Sequence, residues 1–199
     1  REAFWNVYAP GCTEHYLVHV MRSSENFVRE LAFVAVADSK IVSCVMFVKG
    51  TIAGDDGVVR EVLTLGPIAV LPAYQKKGVG RRLIDHARKE AIRQGYAAIV
   101  LCGDPLYYSR VGFEPAENFG IRTADNKYFV ALQICPLQEK RPESFAGRYS
   151  DDAVYNISQE AAFEFDQQFL PKDRLENTPS QKRLLEIIEM QRPFDGAKR

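Results

Sequence analysis

The stretch that most constrains this chain runs from Val58 to Cys102 and reads as strand, glycine-containing turn, helix, strand. Val58 to Val70 is rich in β-branched and aliphatic residues, the composition of a strand. Gly66-Pro67 interrupts it, and since proline cannot donate to a sheet ladder, the strand is expected to bulge or leave its neighbour there. Arg81 to Gln94 sets Ile84, Ala87 and Ala91 on one helical face, and Gly95 supplies a C-terminal stop. Tyr96 to Cys102 is almost wholly apolar, which is the pattern of a parallel strand buried on both faces. The chain is therefore read as α/β.

The turn between strand and helix is Gln75-Lys76-Lys77-Gly78-Val79-Gly80. Such a turn points successive backbone N–H groups into one concavity at a helix N-terminus, where the helix dipole adds partial positive charge. Glycine lets the backbone approach phosphate oxygens closely. A lone Gly-x-Gly is equally well a tight turn before a packed helix. Two other phosphate signatures are excluded. A Walker-type loop needs Gly-Lys-Ser/Thr, and Gly80 is followed by Arg81-Arg82. A dinucleotide fingerprint needs a third glycine where Leu83 stands. Lys76, Lys77, Arg81 and Arg82 crowd the helix start. Positive charge there opposes the dipole, so the cluster makes most sense with an anion present.

The run from Gly66 to Ile84, with Val70-Leu71-Pro72 leading into Gln75-Lys76-Lys77-Gly78-Val79-Gly80, resembles the acetyl-CoA motif of the GNAT superfamily of N-acetyltransferases. Tyr108-Ser109-Arg110-Val111-Gly112-Phe113 is similar to a second feature of that superfamily, Tyr-x-x-x-Gly-Phe, and Gly103 to Phe113 resembles its YhbS-like bacterial branch. The resemblance covers roughly Arg1 to Ile134. It implies a mixed, strongly bent central sheet with helices on both faces and two splayed parallel strands, here Val58 to Val70 and Tyr96 to Cys102. It also implies acetyl-CoA as donor substrate and the primary amine of a small molecule or peptide as acceptor. The backbone of Ile68, Ala69 and Val70 would then hold the pantetheine arm. Gln75, Lys76, Lys77, Gly78, Val79 and Gly80 would hold the pyrophosphate, with Lys76, Lys77, Arg81 and Arg82 screening its charge. Tyr108 would protonate the departing thiolate as general acid, the four-residue offset to Gly112 selecting it over Tyr107, which is read as a packed aromatic. A non-catalytic module that senses acyl-CoA is the alternative; it would keep the loop but not need Tyr108. Family members begin with a strand that is not seen ahead of the first helical pattern, so a trimmed N-terminus is expected.

The other elements are read from periodicity. Helical pattern opens the chain and returns from Thr13 to Ser23, with Pro10-Gly11 between. Leu31 to Ala37 and Lys40 to Lys49 read as a hairpin around Asp38-Ser39, and Pro105 to Val111 as a helical turn. Phe113 to Ile121 and Lys127 to Ile134 read as a final antiparallel pair. Residues 1–135 are assigned to the transferase domain and 136–199 to a partly helical extension. In that extension Gln138 to Asp152 looks irregular, Gln159 to Phe169 helical, and Thr178-Pro179 a helix start. The acceptor pocket is expected from the N-terminal helices, the loop near Gly54 and the final strand pair, with the extension covering it or joining two copies as a homodimer.

Charge and cysteine usage narrow the class further. Acidic and basic residues balance at 26 each, which gives no support for a nucleic-acid or polybasic membrane partner. No apolar run approaches the roughly 20 residues of a membrane span. Cys12, Cys44, Cys102 and Cys135 lack Cys-x-x-Cys spacing, so neither a disulfide framework nor a metal site is expected, and a cytoplasmic setting is. His15 and His19 lack the Glu-x-x-His frame of a metal pair. Glu61 and Asp104 are the carboxylates nearest the expected site.

Overall fold

The computed structural model describes residues 1–137 and 145–196. In chain order its elements are α1 (Glu14–Met21), β1 (Phe33–Ala37), β2 (Lys40–Gly54), β3 (Val59–Val70), α2 (Val79–Arg93), β4 (Ala98–Cys102), α3 (Pro105–Tyr108), β5 (Glu114–Pro115), β6 (Ile121–Arg122), β7 (Lys127–Phe129), β8 (Leu132–Pro136), β9 (Gly147–Ser150), α4 (Gln159–Asp166), α5 (Pro179–Glu189) and β10 (Gln191–Pro193). The main sheet runs β5-β8-β4-β3-β2-β9-β6, with β1 also paired to β2. The β1–β2 turn has positive φ at both Asp38 and Ser39, as a two-residue hairpin demands.

Alternation along β3 and β4 divides the core into two layers. Leu63, Leu65, Ile99 and Leu101 face Ile84, Ala87 and Ala91 of α2. Val62, Ala98 and Val100 face the other side, with Ile134, Phe145 and Tyr149. Leu17 and Met21 of α1 pack on Met46 and Val48 of β2.

The strands β3 and β4 are parallel and pair only at Leu63↔Ile99 and Thr64↔Val100. Two features part them beyond that point. On β3, Gly66 and Pro67 together stand opposite Met46, a shift in register against β2, and the hydroxyl of Tyr155 donates to the Gly66 carbonyl at 2.9 Å. On β4, the chain end is drawn to its other neighbour. The Gly103 N–H donates to Ala131 at 2.9 Å, and the Gln133 side chain donates to the Gly103 carbonyl at 3.0 Å. The expected bulge and splay are thus both present.

Two expectations fail and a third holds only in part. The opening residues form successive turns, Phe4 N–H to Arg1 O and Val7 N–H to Phe4 O, because Asn6 takes a positive φ and its side-chain oxygen accepts from Gly11 and Leu175. The final antiparallel pair forms, but only at Glu114↔Ile134 and Pro115↔Gln133. Pro115 ends β5 after two residues, a 3₁₀ turn follows to Phe119, and on its other edge β8 pairs with β4. The irregular stretch begins at residues 138–144, which lie outside the described residues, but contains a strand. In β9, Gly147 and Tyr149 alternate as buried positions, the strand pairs with the end of β2, and the Tyr149 hydroxyl lies 2.7 Å from that of Thr64. A strand from beyond Pro136 therefore belongs to the main sheet.

The remaining tail wraps the N-terminal turns. Arg1 pairs with Asp166 at 2.6 Å, and the Thr178 hydroxyl donates to the Asn6 carbonyl at 3.1 Å. Thr178 and Gln181 form a capping box at the start of α5. Among the described residues no helix is long and apolar enough to cross a membrane.

Candidate functional site

The loop before α2 is a tight turn with an open mouth. Lys76 and Gly78 both take positive φ, +58° and +76°. Gly78 is the N-cap of α2 and has no side chain with which to cap. The first N–H groups of the helix, those of Val79, Gly80 and Arg81, have no intrahelical acceptor, and together with the dipole they form an anion receptor. A Cβ on Gly78 would meet nothing within 4 Å, so the turn faces open space. At Gly80 a Cβ would lie 3.0 Å from the Tyr107 hydroxyl and 3.4 Å from Val70 Cγ2. Glycine there lets the helix start seat against the end of β3. Lys76, Lys77, Arg81 and Arg82 are all exposed. Arg81 stands 3.7 Å from Asp85, and Lys77 lies 5.6 Å above the Tyr74 ring.

Beyond the splay, β3 has a free edge facing β4. The Leu71 N–H donates to Val42, and the Ala69 carbonyl accepts from the Ser43 hydroxyl at 2.6 Å, so both residues turn toward β2. Backbone direction alternates along a strand, so Ile68 and Val70 turn toward the gap. The Gln75 side chain donates to the Val70 carbonyl there at 3.0 Å, tying the loop to the strand. Of the three residues expected to offer backbone groups, Ala69 is thus occupied by β2.

Asp104 caps α3 by accepting from Leu106 N–H at 2.9 Å, with Pro105 at the first helical position. This short helix presents Tyr107 and Tyr108 with rings edge-on at 4.9 Å. The Tyr108 ring lies flush on Gly103, where a Cβ would come within 2.2 Å of it, and against Phe113 at 5.7 Å. Gly112 at φ +87° turns the chain so that the Phe113 N–H reaches the Tyr108 carbonyl at 3.1 Å; this is why glycine and an aromatic follow Tyr108 at that spacing. Burial raises the Tyr108 phenol above its ordinary pKa, keeping it a neutral donor at physiological pH. The packing expected of Tyr107 belongs to Tyr108, while Tyr107 is 43% exposed with its hydroxyl over Gly80.

These parts meet in one groove of about 610 Å³, walled by Ile68, Val70, Gln75, Gly78, Gly80 and Tyr108 among others. Ala69, Lys76, Val79 and Arg81 also reach it, whereas Lys77 and Arg82 stand outside its wall. Glu61 is remote, paired with Lys49 at 3.1 Å. Asp104 does line the groove, and the Arg183 guanidinium beside it holds its carboxyl below the usual range. The loop near Gly54 is taken up by ion pairs of Asp55 with Arg122 and Asp56 with Arg60. His15 is buried beside Asp166 at 3.1 Å, between the rings of Phe165 and Phe169. Among the described residues no three His, Cys, Asp or Glu side chains gather as a metal site.

Sequence reasoning missed Tyr8 and Ser180, which line the groove from the N-terminal turns and from α5. Thr178-Pro179 located the start of α5, but no local pattern says where that helix docks. A second cavity of about 480 Å³ shares Tyr8, Asp104 and Ser180 with the groove.

Residues 29–115 match the family model described as an acetyltransferase (GNAT) domain. The chain is 34% identical over 110 residues to the uncharacterised N-acetyltransferase YhbS of Escherichia coli, a match covering 55% of this chain and 63% of that relative, just under two thirds of its length. It is 33% identical over 100 residues to the uncharacterised N-acetyltransferase YjhQ of the same organism, covering 50% of this chain and 54% of the relative. Among solved structures, E. coli YhbS in complex with CoA superposes with a TM-score of 0.65 at 28% identity, over 73% of this chain and 78% of that one. A GNAT family acetyltransferase from Brucella melitensis in complex with acetyl-CoA gives 0.60 at 25% identity, over 77% and 85%. The strand, loop and helix that frame the groove all fall inside residues 29–115, the stretch that is similar to an acetyltransferase (GNAT) domain, and the fold is shared with these solved structures.

Proposed function

We propose that this chain transfers an acetyl group from acetyl-CoA to a primary amine by direct attack. One observation carries the reading. The uncapped start of α2, the free edge of β3 and the Tyr108 ring line a single groove, in the order that a diphosphate, an amide-bearing arm and a thioester require. The exposed backbone N–H groups and flanking cations receive the diphosphate. Ile68 and the N–H of Val70 offer hydrogen bonds to the arm as a neighbouring strand would. Two relatives of the same fold were crystallised with CoA or acetyl-CoA, which supports the same donor here.

The chemistry then needs little from the protein. The neutral amine nitrogen attacks the thioester carbonyl carbon, the C–S bond breaks, and the sulfur takes a proton from the Tyr108 hydroxyl. The amide nitrogen gives up its extra proton to solvent, and the phenolate is reprotonated. No cysteine is placed for a covalent intermediate: Cys12, Cys44 and Cys135 are absent from the groove wall, as is Cys102.

The test is Tyr108→Phe, assayed by thiol release from acetyl-CoA with amine acceptors. The ring and its packing survive, and only the hydroxyl goes. General acid catalysis contributes about 100- to 10,000-fold, so kcat should fall at least about 100-fold with acetyl-CoA affinity nearly unchanged. Tyr107→Phe is the matched control and should be milder. An unchanged kcat in Tyr108→Phe with a large loss in Tyr107→Phe would transfer the role to Tyr107, whose hydroxyl is the more exposed.

A further inference from the structure

We infer that the acceptor is a small primary amine on a single uncharged, apolar body, and that the second cavity holds that body. The inference rests on the transfer reaction proposed above. The cavity has about 480 Å³, within the size range of small-molecule sites. Its walls are Cys102, Phe129 and Ala131 from the sheet side and Leu184, Ile187 and Ile188 from α5. It meets the donor groove at Tyr8, Asp104 and Ser180, and Asp104 is four residues before Tyr108 on the same turn. A molecule with its body in the cavity therefore directs its amine to the junction, where two hydroxyls and the end of the donor groove converge.

Charge decides the class of the body. Asp104 is the carboxylate in the wall of this cavity, and it is already committed. Arg183 Nε donates to Oδ2 at 3.0 Å and Nη2 to Oδ1 at 3.2 Å, while Oδ1 also accepts from Leu106 N–H. A second ammonium on the acceptor would enter an apolar wall without a free counter-charge, which costs heavily. An anionic body fares no better, because Arg183 is held by Asp104 and by Glu186 at 3.2 Å. Polyamines, aminoglycosides and amino acids are disfavoured on the same ground, and neutral alkyl or arylalkyl amines fit.

The experiment is thiol release at saturating acetyl-CoA with phenethylamine and isopentylamine against spermidine, an aminoglycoside and a peptide with a hydrophobic N-terminal residue, with octanoyl-CoA as a second donor. The apolar monoamines should exceed the others at least about tenfold in kcat/KM, the scale on which hydrophobic pockets discriminate. Ile188→Glu places a carboxylate in the wall at a position already 46% exposed, so the fold should tolerate it. It should lower kcat/KM for phenethylamine about tenfold or more, raise it for diamines, and leave acetyl-CoA affinity by calorimetry unchanged. Preference for spermidine, the aminoglycoside or the peptide, or unchanged specificity in Ile188→Glu, would overturn the inference. So would octanoyl-CoA outperforming acetyl-CoA, since the cavity would then hold the donor's chain. Failure of acetyl-CoA to bind at all would remove the transfer reaction itself and this inference with it, whereas binding with a polycation preference removes the inference alone.

Discussion

The donor groove and the neighbouring cavity are built from different materials. The groove is made mostly of backbone: the edge of β3, the turn at Gly78 and the first N–H groups of α2 come from one stretch of sequence, residues 68–81, with Tyr107 and Tyr108 added and Tyr8, Asp104 and Ser180 at the end it shares with the cavity. The cavity is made of side chains gathered from afar, Tyr8, Cys102, Phe129, Ala131 and the face of α5. A backbone site follows from local turn chemistry and tolerates varied side chains nearby. A side-chain site exists only once the ends of the chain have docked, and it can change its ligand without disturbing the rest. Substitutions should therefore separate cleanly: changes in the loop should act on acetyl-CoA, and changes in α5 should act on the acceptor.

The sharpest break comes from Gly78→Asp. Asparagine and aspartate tolerate the left-handed backbone conformation, and a Cβ there meets open space, so the fold should hold. The carboxylate would face the diphosphate, and like-charge juxtaposition costs several kcal/mol. Acetyl-CoA affinity by calorimetry should fall about 100-fold or more, with the circular dichroism spectrum unchanged. Wild-type affinity in this variant would mean that the loop is only a turn.

A smaller effect is expected from Lys76→Gln. The side chain is exposed, and a single exposed charge contributes about 0.2–1 kcal/mol, or up to roughly fivefold in affinity. The difference from wild type should shrink as salt rises from low ionic strength toward 1 M, where charges are screened within about 3 Å. A salt-independent difference would show that Lys76 acts by shaping the turn.

The smallest effect concerns the tie between α5 and the turn before Tyr108. Arg183→Gln removes the pair with Asp104, whose side chains are 31% and 32% exposed, so solvent screening leaves it a small contribution. The Asp104 pKa is lowered in the folded protein, first by its hydrogen bond to Arg183. The stabilisation is therefore present above the unfolded value of about 3.9 and lost as pH falls through the folded value. Denaturant unfolding should find the variant weaker than wild type at pH 7 and equal to it once pH is well below 4, with acetyl-CoA affinity the same throughout. A gap that widened on acidification would contradict this sign.

What the sequence made legible follows the same division. The bulge at Gly66-Pro67, the stop at Gly95, the buried face of α2 and the helix start at Thr178-Pro179 are each set by residues within a few positions of one another, and each is found where local chemistry places it. Gly78 and Gly80 could be told apart only in the structure, one facing open space and the other relieving contact with Tyr107 and Val70. The roles of Tyr107 and Tyr108 were half legible. Their spacing to Gly112 shows in the sequence, but which ring is packed depends on Gly103, four and five residues earlier, and on Phe113. The strand β9 was hidden in a polar stretch because only Gly147 and Tyr149 mark its buried face. Its pairing with β2 lies about a hundred residues away in sequence. The opening turns were misread as helix because Asn6 answers to Gly11 and Leu175 and not to its immediate neighbours.

The most direct test of the central claim is a thermal-denaturation series with acetyl-CoA, CoA, ATP and NAD. A ligand that binds only the folded chain at about 100 times its dissociation constant stabilises it by about 2.7 kcal/mol. For a chain of 199 residues this corresponds to a rise in Tm of roughly 5–10 °C, at about 2–4 °C per kcal/mol. Acetyl-CoA and CoA should both produce it, and ATP and NAD should not. No shift with millimolar acetyl-CoA, or a larger shift with ATP or NAD, would contradict the assignment of the groove.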